Sequence, residues 1–400
     1  MNYQERIYNE LINENASLWY ISDGNVSKIR LKAPTTALKA ILKGCKVEFL
    51  FGKDTFQNKI YFHTGVSIFD DPINGINILG LDRFLEDHKS LFEILNLNKT
   101  FIEFYNELDT CFMHGFVSIN EIDRSKVLKL LGRICDLYTG DLDIDANYSL
   151  DCFEYSLDNS RKINQPRQIE TVKCIVSFSQ LTIMNNQFIG FNEDNQIIID
   201  DFDEGGNFEK QVWITLDNIF KFNLHKNPEF VLNNKKRELT DILAFYDNGI
   251  FIIETKSMAV LNIEKEQSMD RKVANVQKQI LKAIDQVIGA KKVLEKELTI
   301  LDKAGNEIEF DKQIVPHCIV LVNEIIPFGN WNNIEMKIVQ TITDEKVFLN
   351  VFEFMEFMKH VKICSGKKEL FDYHLIERTK AFMKHKSIFL KAKIINDNKS

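Results

Sequence analysis

The sequence predicts a mixed α/β protein in two parts, an α+β first half and a second half built on a mixed sheet. Three observations lead there. In the second half an apolar hairpin, Ile242 to Tyr246 and Ile250 to Ile253 around Asp247-Asn248-Gly249, has a helical stretch before it and a longer one after it. A continuous apolar run, Ile314 to Val322, follows the longer helix, as a strand parallel to a neighbour across a helical crossover would. The first half instead mixes short strand-like and helical runs, with no internal repeat and no low-complexity tract.

In the first half, Lys46 to Phe51, Lys59 to His63 and Val66 to Phe69 read as strands around loops marked by Gly52-Lys53-Asp54 and Asp71-Pro72. Leu81 to Leu108 reads as mostly helical and Phe112 to Ile119 as a strand. Arg124 to Tyr138 reads as a helix burying Val127, Leu130, Leu131 and Ile134. Strands resume at Cys152 to Ser156, Val172 to Phe178, Phe188 to Phe191 and Gln196 to Ile199. The acidic, glycine-containing segment Asp200 to Asn207 marks the boundary between a domain of residues 1–200 and one of residues 201–400.

Gly205-Gly206-Asn207 supplies a break and an N-cap for a helix with Phe208, Val212, Leu216, Ile219 and Phe220 at helical spacing. Pro228 stops it, and Phe230 to Leu232 read as the first strand. The hairpin follows. Asn-Gly between apolar runs is a strong turn signal because both loop positions of the favoured turn need positive φ. A two-residue Asn248-Gly249 loop pairs Asp247 with Ile250 and puts Asp241 opposite Lys256, with Glu254 diagonal to Asp241. Side chains alternate along a strand, so Asp241, Glu254 and Lys256 share one face. A long helix, about Asp270 to Glu297, carries the stripe Val273, Val276, Ile280, Ile284, Val287 and Ile288, with a polar line through Lys272, Asn275, Gln279, Lys282 and Gln286. The late apolar segment Val347 to His360 reads as a core or interface helix.

Both faces of the hairpin are hydrophobic, with Leu243, Phe245 and Ile252 on one and Ala244, Phe251 and Ile253 on the other. Charges at the end of such a strand are costly unless paired or bound to a metal. Two readings are open to this geometry. Asp241 and Glu254 form an oxygen-rich pocket for Mg²⁺ or Mn²⁺, with Lys256 beside it to orient water and offset phosphate charge. Alternatively, Lys256 neutralises one carboxylate in a structural ion pair.

An acid, an apolar hairpin and then Glu254-Thr255-Lys256 resemble the core of the PD-(D/E)XK nuclease superfamily, which includes restriction endonucleases and archaeal Holliday-junction resolvases. Thr240 stands where the motif has proline. The flanks resemble the same restriction-endonuclease-like core, helix, three strands, helix, strand, over about residues 205–328. On that resemblance Asp241 and Glu254 hold the metal, aided by the backbone carbonyl of Thr255, and Lys256 positions the attacking water. Glu209 corresponds to an extra acid on the first helix. Gln279 to Lys282 resembles the Gln-x-x-Lys of exonuclease-type members, whose polar groups position the scissile phosphate.

The composition sets limits. Residues 1–200 carry 20 Lys+Arg against 28 Asp+Glu, and residues 201–400 carry 30 against 30, so a nucleic-acid site belongs in the second half. The region from Lys359 onward, with 11 Lys+Arg, reads as a basic helical extension. Seven scattered cysteines without a Cys-x-x-Cys read as reduced thiols of a cytoplasmic protein, and no uninterrupted apolar run is long enough to span a membrane. Asp141, Asp143 and Asp145 resemble the opening of a calcium loop, but Ala146 and Cys152 replace the required glycine and glutamate, leaving an ordinary acidic turn. The eight histidines lack zinc-ligand spacing, and neither a nucleophile elbow nor a phosphate-binding P-loop is present.

On the nuclease resemblance the chain is expected to be an Mg²⁺- or Mn²⁺-dependent endonuclease acting on DNA, and analogy with the superfamily implies restriction or phage defence. The first domain is expected to be regulatory, binding a partner protein or a second copy of the chain. The alternative is an inactive nuclease fold that only binds nucleic acid or protein.

Overall fold

The computed structural model of the chain describes residues 2–24, 26–69, 75–157, 166–257, 269–296, 298–326 and 329–392. The chain divides into two compact units, Met1–Asn185 and Asn186–Ser400. The division precedes the expected boundary at Asp200 to Asn207. The reason is local: the Asp217 carboxylate accepts hydrogen bonds from the Phe191 and Asn192 amides, and Asn207 Nδ2 donates to the Ile198 carbonyl, tying residues 191–198 to the second unit.

The first unit runs α1 (Tyr3–Asn13), β1 (Ser17–Ser22), β2 (Ser27–Lys32), α2 (Thr35–Leu42), β3 (Val47–Phe56), β4 (Lys59–Ile68), β5 (Ile76–Asp82), α3 (Leu85–Leu95), β6 (Thr100–Tyr105), β7 (Cys111–Ile119), α4 (Glu121–Leu131), α5 (Ile144–Leu157) and β8 (Glu170–Ile183). Its strands form one sheet in the order β1-β2-β6-β7-β8-β3-β4-β5. Only β2 and β6 pair in parallel; every other neighbour is antiparallel. Several expectations change. Gly52-Lys53-Asp54 is not a loop but lies inside β3, and Lys59 to His63 and Val66 to Phe69 merge into the single strand β4, which ends at Ile68. Asp71-Pro72 lies outside the described residues. Leu81 to Leu108 is not mostly helical but holds β6, whose alternate residues Thr100, Ile102 and Phe104 are buried. Cys152 to Ser156 is helical, because Ala146, Ser149, Cys152 and Phe153 bury one helical face of α5. The expected helix from Arg124 to Tyr138 ends at Leu131, where Gly132 at φ +67° caps it. The acidic turn is a helix start: Asp143 accepts from the Ala146 amide at 2.8 Å and pairs with Lys59.

The second unit runs β9 (Asn186–Ile189), β10 (Asp194–Ile197), α6 (Glu204–Asp217), β11 (Leu224–Lys226), β12 (Glu229–Leu232), β13 (Lys235–Glu238), β14 (Ile242–Tyr246), β15 (Gly249–Lys256), α7 (Met269–Leu294), β16 (Ile300–Leu301), β17 (His317–Val322), α8 (Asn332–Glu345), β18 (Phe348–Glu353), α9 (Phe354–Cys364) and α10 (Lys368–His385). A five-stranded sheet has the order β11-β14-β15-β17-β18, antiparallel from β11 to β15 and parallel from β15 to β18. The α7 face buries Leu243, Ile250, Ile252, Val276, Ile280 and Ile284. On the other face Phe251 packs against Phe220 and Phe371.

The first strand of this sheet is β11, not Phe230 to Leu232. Asn233 and Asn234 both take positive φ, 53° and 58°, which makes a tight turn. That turn folds β12 back on β13 in a separate sheet with β16. The late apolar segment is likewise split, because Phe348 to Glu353 pairs in parallel with β17 before α9 begins. Helix α6 starts earlier than expected, capped by Asp203, whose Oδ1 accepts from the Gly206 amide at 2.9 Å. A Cβ on Gly206 would collide with that carboxylate. The helix ends at Asp217, well before Pro228.

Candidate active site

The hairpin turn is Asp247-Asn248, not Asn248-Gly249, since Tyr246 pairs with Gly249 and Phe245 with Ile250. None of these turn residues has positive φ. Gly249 is required for another reason, because a Cβ there would lie 2.5 Å from the Tyr246 ring. The register therefore slips by two residues, and continuing it by one puts Asp241 across from Glu254 instead of Lys256. A two-residue slip preserves parity, so the three groups remain on one face.

Asp241 and Glu254 are 8% and 2% exposed, which makes their charges costly without compensation. The Asp241 carboxylate is fixed by Thr255, whose amide and hydroxyl donate to Oδ2 at 2.6 and 2.9 Å. The Asp241 carbonyl accepts from the Asn227 amide at 2.7 Å, and the Thr240 hydroxyl donates to the Ile253 carbonyl, closing the strand end where the motif has proline. Lys256 Nζ lies 3.0 Å from Glu254 Oε2. Burial first, then the Asp241 charge, push the Glu254 carboxyl up to about 7 against the pull of Lys256 and Thr240.

Two more acids lie in the field of Asp241. Glu209 on α6 is half-buried, and burial followed by Asp241 raises its pKa. Glu238, exposed on β13 but with its carboxyl partly shielded from water, is raised by that shielding and then by Asp241, against Asn227, Lys303 and Lys256. Sequence reasoning placed Glu209 here but missed Glu238. Its signal was an acid three residues before Asp241. Gln279 is half-buried on α7 and makes no hydrogen bond to Asp241, Glu254 or Lys256 among the described residues.

The donor set fits a hard divalent cation. It offers two buried carboxylates side by side, one of them pushed up to about 7 by burial and by the other's charge, a cost that a bound cation would relieve. Among the described residues no group of three or more His, Cys, Asp and Glu side chains could hold an ion alone. An ion here would complete its shell with oxygens from the Thr255 backbone, water or substrate.

Residues 204–322 match the family of the nuclease-related domain. Over that stretch the fold is similar to that of PD-(D/E)XK nucleases. The matched stretch runs from the first residue of α6 to the last of β17, so it holds Glu209, Glu238, the Asp241–Glu254–Lys256 hairpin and Gln279. Among solved structures, the small subunit (R.BspD6I2) of the heterodimeric restriction endonuclease R.BspD6I is 14% identical, with 48% of this chain and 93% of that one covered and a TM-score of 0.29. No curated protein is significantly similar to the chain. In the matched stretch Asp241, Glu254 and Lys256 stand at the C-terminal end of β15, beside parallel β17, where open α/β sheets bind ligands.

Proposed function

We propose that the nuclease-related domain is a metal-dependent endonuclease hydrolysing phosphodiester bonds in nucleic acid, with DNA as substrate and restriction or phage defence as its setting. The observation that supports this most is the side-by-side burial of Asp241 and Glu254 with Lys256 on the same strand end. Asp241, Glu254 and the Thr255 carbonyl would hold Mg²⁺ or Mn²⁺. When bound, the ion polarises a phosphoryl oxygen and lowers the pKa of water.

The chain's own residues supply the rest. Thr255 holds Asp241 by one oxygen, which fixes the orientation of its carboxylate without consuming Oδ1. Lys256 sits where it can orient the attacking water or steady charge on the pentavalent transition state. Glu209 adds negative potential from α6, and Gln279, by the Gln-x-x-Lys resemblance, would help position the phosphate. Residues 1–185 act as a regulatory domain that binds a partner protein or a second copy of the chain, and the whole works in the cytoplasm with its seven cysteines free. Among the described residues no helix is long and apolar enough to cross a membrane.

The test is cleavage of plasmid and oligonucleotide DNA by the full chain. Activity should require Mg²⁺ or Mn²⁺ and stop in EDTA. Asp241→Ala, Glu254→Ala and Lys256→Ala should each lose it by orders of magnitude while keeping the fold. Undiminished cleavage in EDTA would refute the metal site, and binding without any cleavage would leave a nucleic-acid-binding module.

A further inference from the structure

Four acids, Glu209, Glu238, Asp241 and Glu254, share the site, and a polyanion approaching it meets repulsion that the domain as a whole does not offset. Residues 201–400 carry equal numbers of acidic and basic groups, so any attraction for phosphate has to be local. The structure has such a feature directly beside the acids. Strand β13, Lys235-Lys236-Arg237-Glu238, is exposed at every residue and forms the open edge of the sheet β13-β12-β16. It ends three residues before Asp241, and its last residue, Glu238, feels the charges of both Asp241 and Lys256.

The cations on this edge are available. Lys235 and Arg237 lie on one side of the strand, and neither forms an ion pair among the described residues. Lys236 lies on the other side and is paired with Glu229 at 3.1 Å. Nearer the site, half-buried Lys226 has its pKa lowered, first by burial and also by Lys303 and Lys210, against the pull of Glu193 and Glu209.

We propose that β13 is the edge that holds the substrate backbone: Lys235 and Arg237, with Lys226 beside Asp241 through its pairing with Ile242, bind phosphates of the nucleic acid cut at the Asp241–Glu254–Lys256 centre. The inference rests on the nuclease reading. Arg237 is four residues from Asp241, roughly 13 Å of extended chain at about 3.3 Å per residue. That distance covers about four nucleotides at the 3.4 Å spacing of one duplex strand. Phosphate contacts of this kind set position and affinity without reading bases, so the edge binds all sequences alike. Lysine on an open strand edge also prevents edge-to-edge pairing, but any charge does that, whereas holding phosphate requires a positive one.

The experiment follows from that difference. Lys235→Glu/Arg237→Glu keeps the edge charged and reverses its sign, and Lys235→Gln/Arg237→Gln gives a milder pair. A control pair, Lys380→Glu/Lys384→Glu, makes the same change of charge on exposed positions of α10. Each pair is placed in the full chain carrying Glu254→Gln to block cleavage. Binding of a fluorescent 20-base-pair duplex in Mg²⁺ is followed by anisotropy across salt concentrations. Loss of two phosphate contacts should reduce the slope of log affinity against log salt by about 1.8. Affinity should fall at least tenfold near 0.1 M salt, equally for unrelated sequences, with the control pair unaffected. An unchanged slope in both β13 variants, an equal loss in the control, or no duplex binding by the parent would overturn the proposal. Failure of the nuclease reading looks different: binding that depends on β13, with no cleavage by the unsubstituted chain in Mg²⁺ or Mn²⁺.

Discussion

Glu254→Gln tests the electrostatics of the site without a nucleic-acid substrate. In the metal-free fold the Glu254 carboxyl is pushed up to about 7 from an ordinary 4.5, mainly by burial and then by Asp241. A carboxylate whose pKa is raised on folding favours the protonated native state. Its stabilising contribution is therefore complete below pH 4.5 and is lost as pH climbs through 7. A shift of that size, at about 1.36 kcal/mol per unit, makes the ionised form cost about 3 kcal/mol at pH 8. Glutamine has the same shape and cannot ionise. In EDTA, Glu254→Gln should match the parent near pH 4.5 and exceed it at pH 8 by about 3 kcal/mol. For a unit of this size that is roughly 6–12 °C in melting temperature.

Tryptophan fluorescence suits the measurement, because two of the three tryptophans, Trp213 and Trp331, are buried in the second unit. Subtracting variant from parent at each pH removes the contribution of titrating groups that do not interact with Glu254. Mg²⁺ at pH 8 should close much of the gap by stabilising the parent through its carboxylate. A parent and a variant that lose stability in parallel from pH 4.5 to 8 would show that Glu254 is not strained in the metal-free fold.

Other expectations follow from single contacts. Gly249→Ala should destabilise the second unit by about 1–3 kcal/mol, because the Tyr246 ring that a Cβ would strike is held by its hydroxyl on Asp372 at 2.5 Å; chemical denaturation measures this. In the first unit, Asp82 is raised to about 8, by burial first and then by Asp87. Its contribution is present below pH 3.8 and lost as pH rises through 8, so Asp82→Asn should flatten the decline of that unit's stability in this window. Thr255→Val should lower DNA cleavage by more than it lowers melting temperature, since the lost hydroxyl bond orients Asp241. Residues 186–400 expressed alone should cleave DNA with altered control, and isolated residues 1–185 should bind none at moderate salt.

The hairpin was legible because its signals repeat at several levels. Two apolar runs, a turn and an alternating face specify a buried β-ribbon whichever two residues make the turn, and a two-residue slip leaves every side chain on its own face. The exact pairing was not legible, since it depends on where the Tyr246 ring packs. Asn233-Asn234 carried a positive-φ turn signal that went unread, and it removes β12 from the main sheet. The strand replacing it, Leu224–Lys226, is three residues long and is defined by its pairing with β14 rather than by any local pattern. Phe348 to Phe357 contains apolar residues spaced for either period, and parallel pairing with β17 decides for a strand over its first part.

The same logic explains which members of the site could be found. An ionised side chain in a strand covered on both faces is expensive, so Asp241 and Glu254 stand out from their apolar neighbours as residues that need a purpose. Glu209 and Glu238 occupy positions where an acid costs little, the second turn of a helix and an exposed strand end. Glu209 was placed by the resemblance and not by its neighbours, and the mark on Glu238 was its distance of three residues from Asp241. Only folding brings both into the field of Asp241, and each responds by holding its proton more tightly. Lys235 and Arg237 belong with this second group, since charges on an open edge are cheap and are usually there to prevent aggregation. What gives them a function is adjacency to four acids whose substrate would be a polyanion. Chemistry that is costly to bury is visible in a sequence, whereas electrostatics assembled at the surface becomes visible only with the fold.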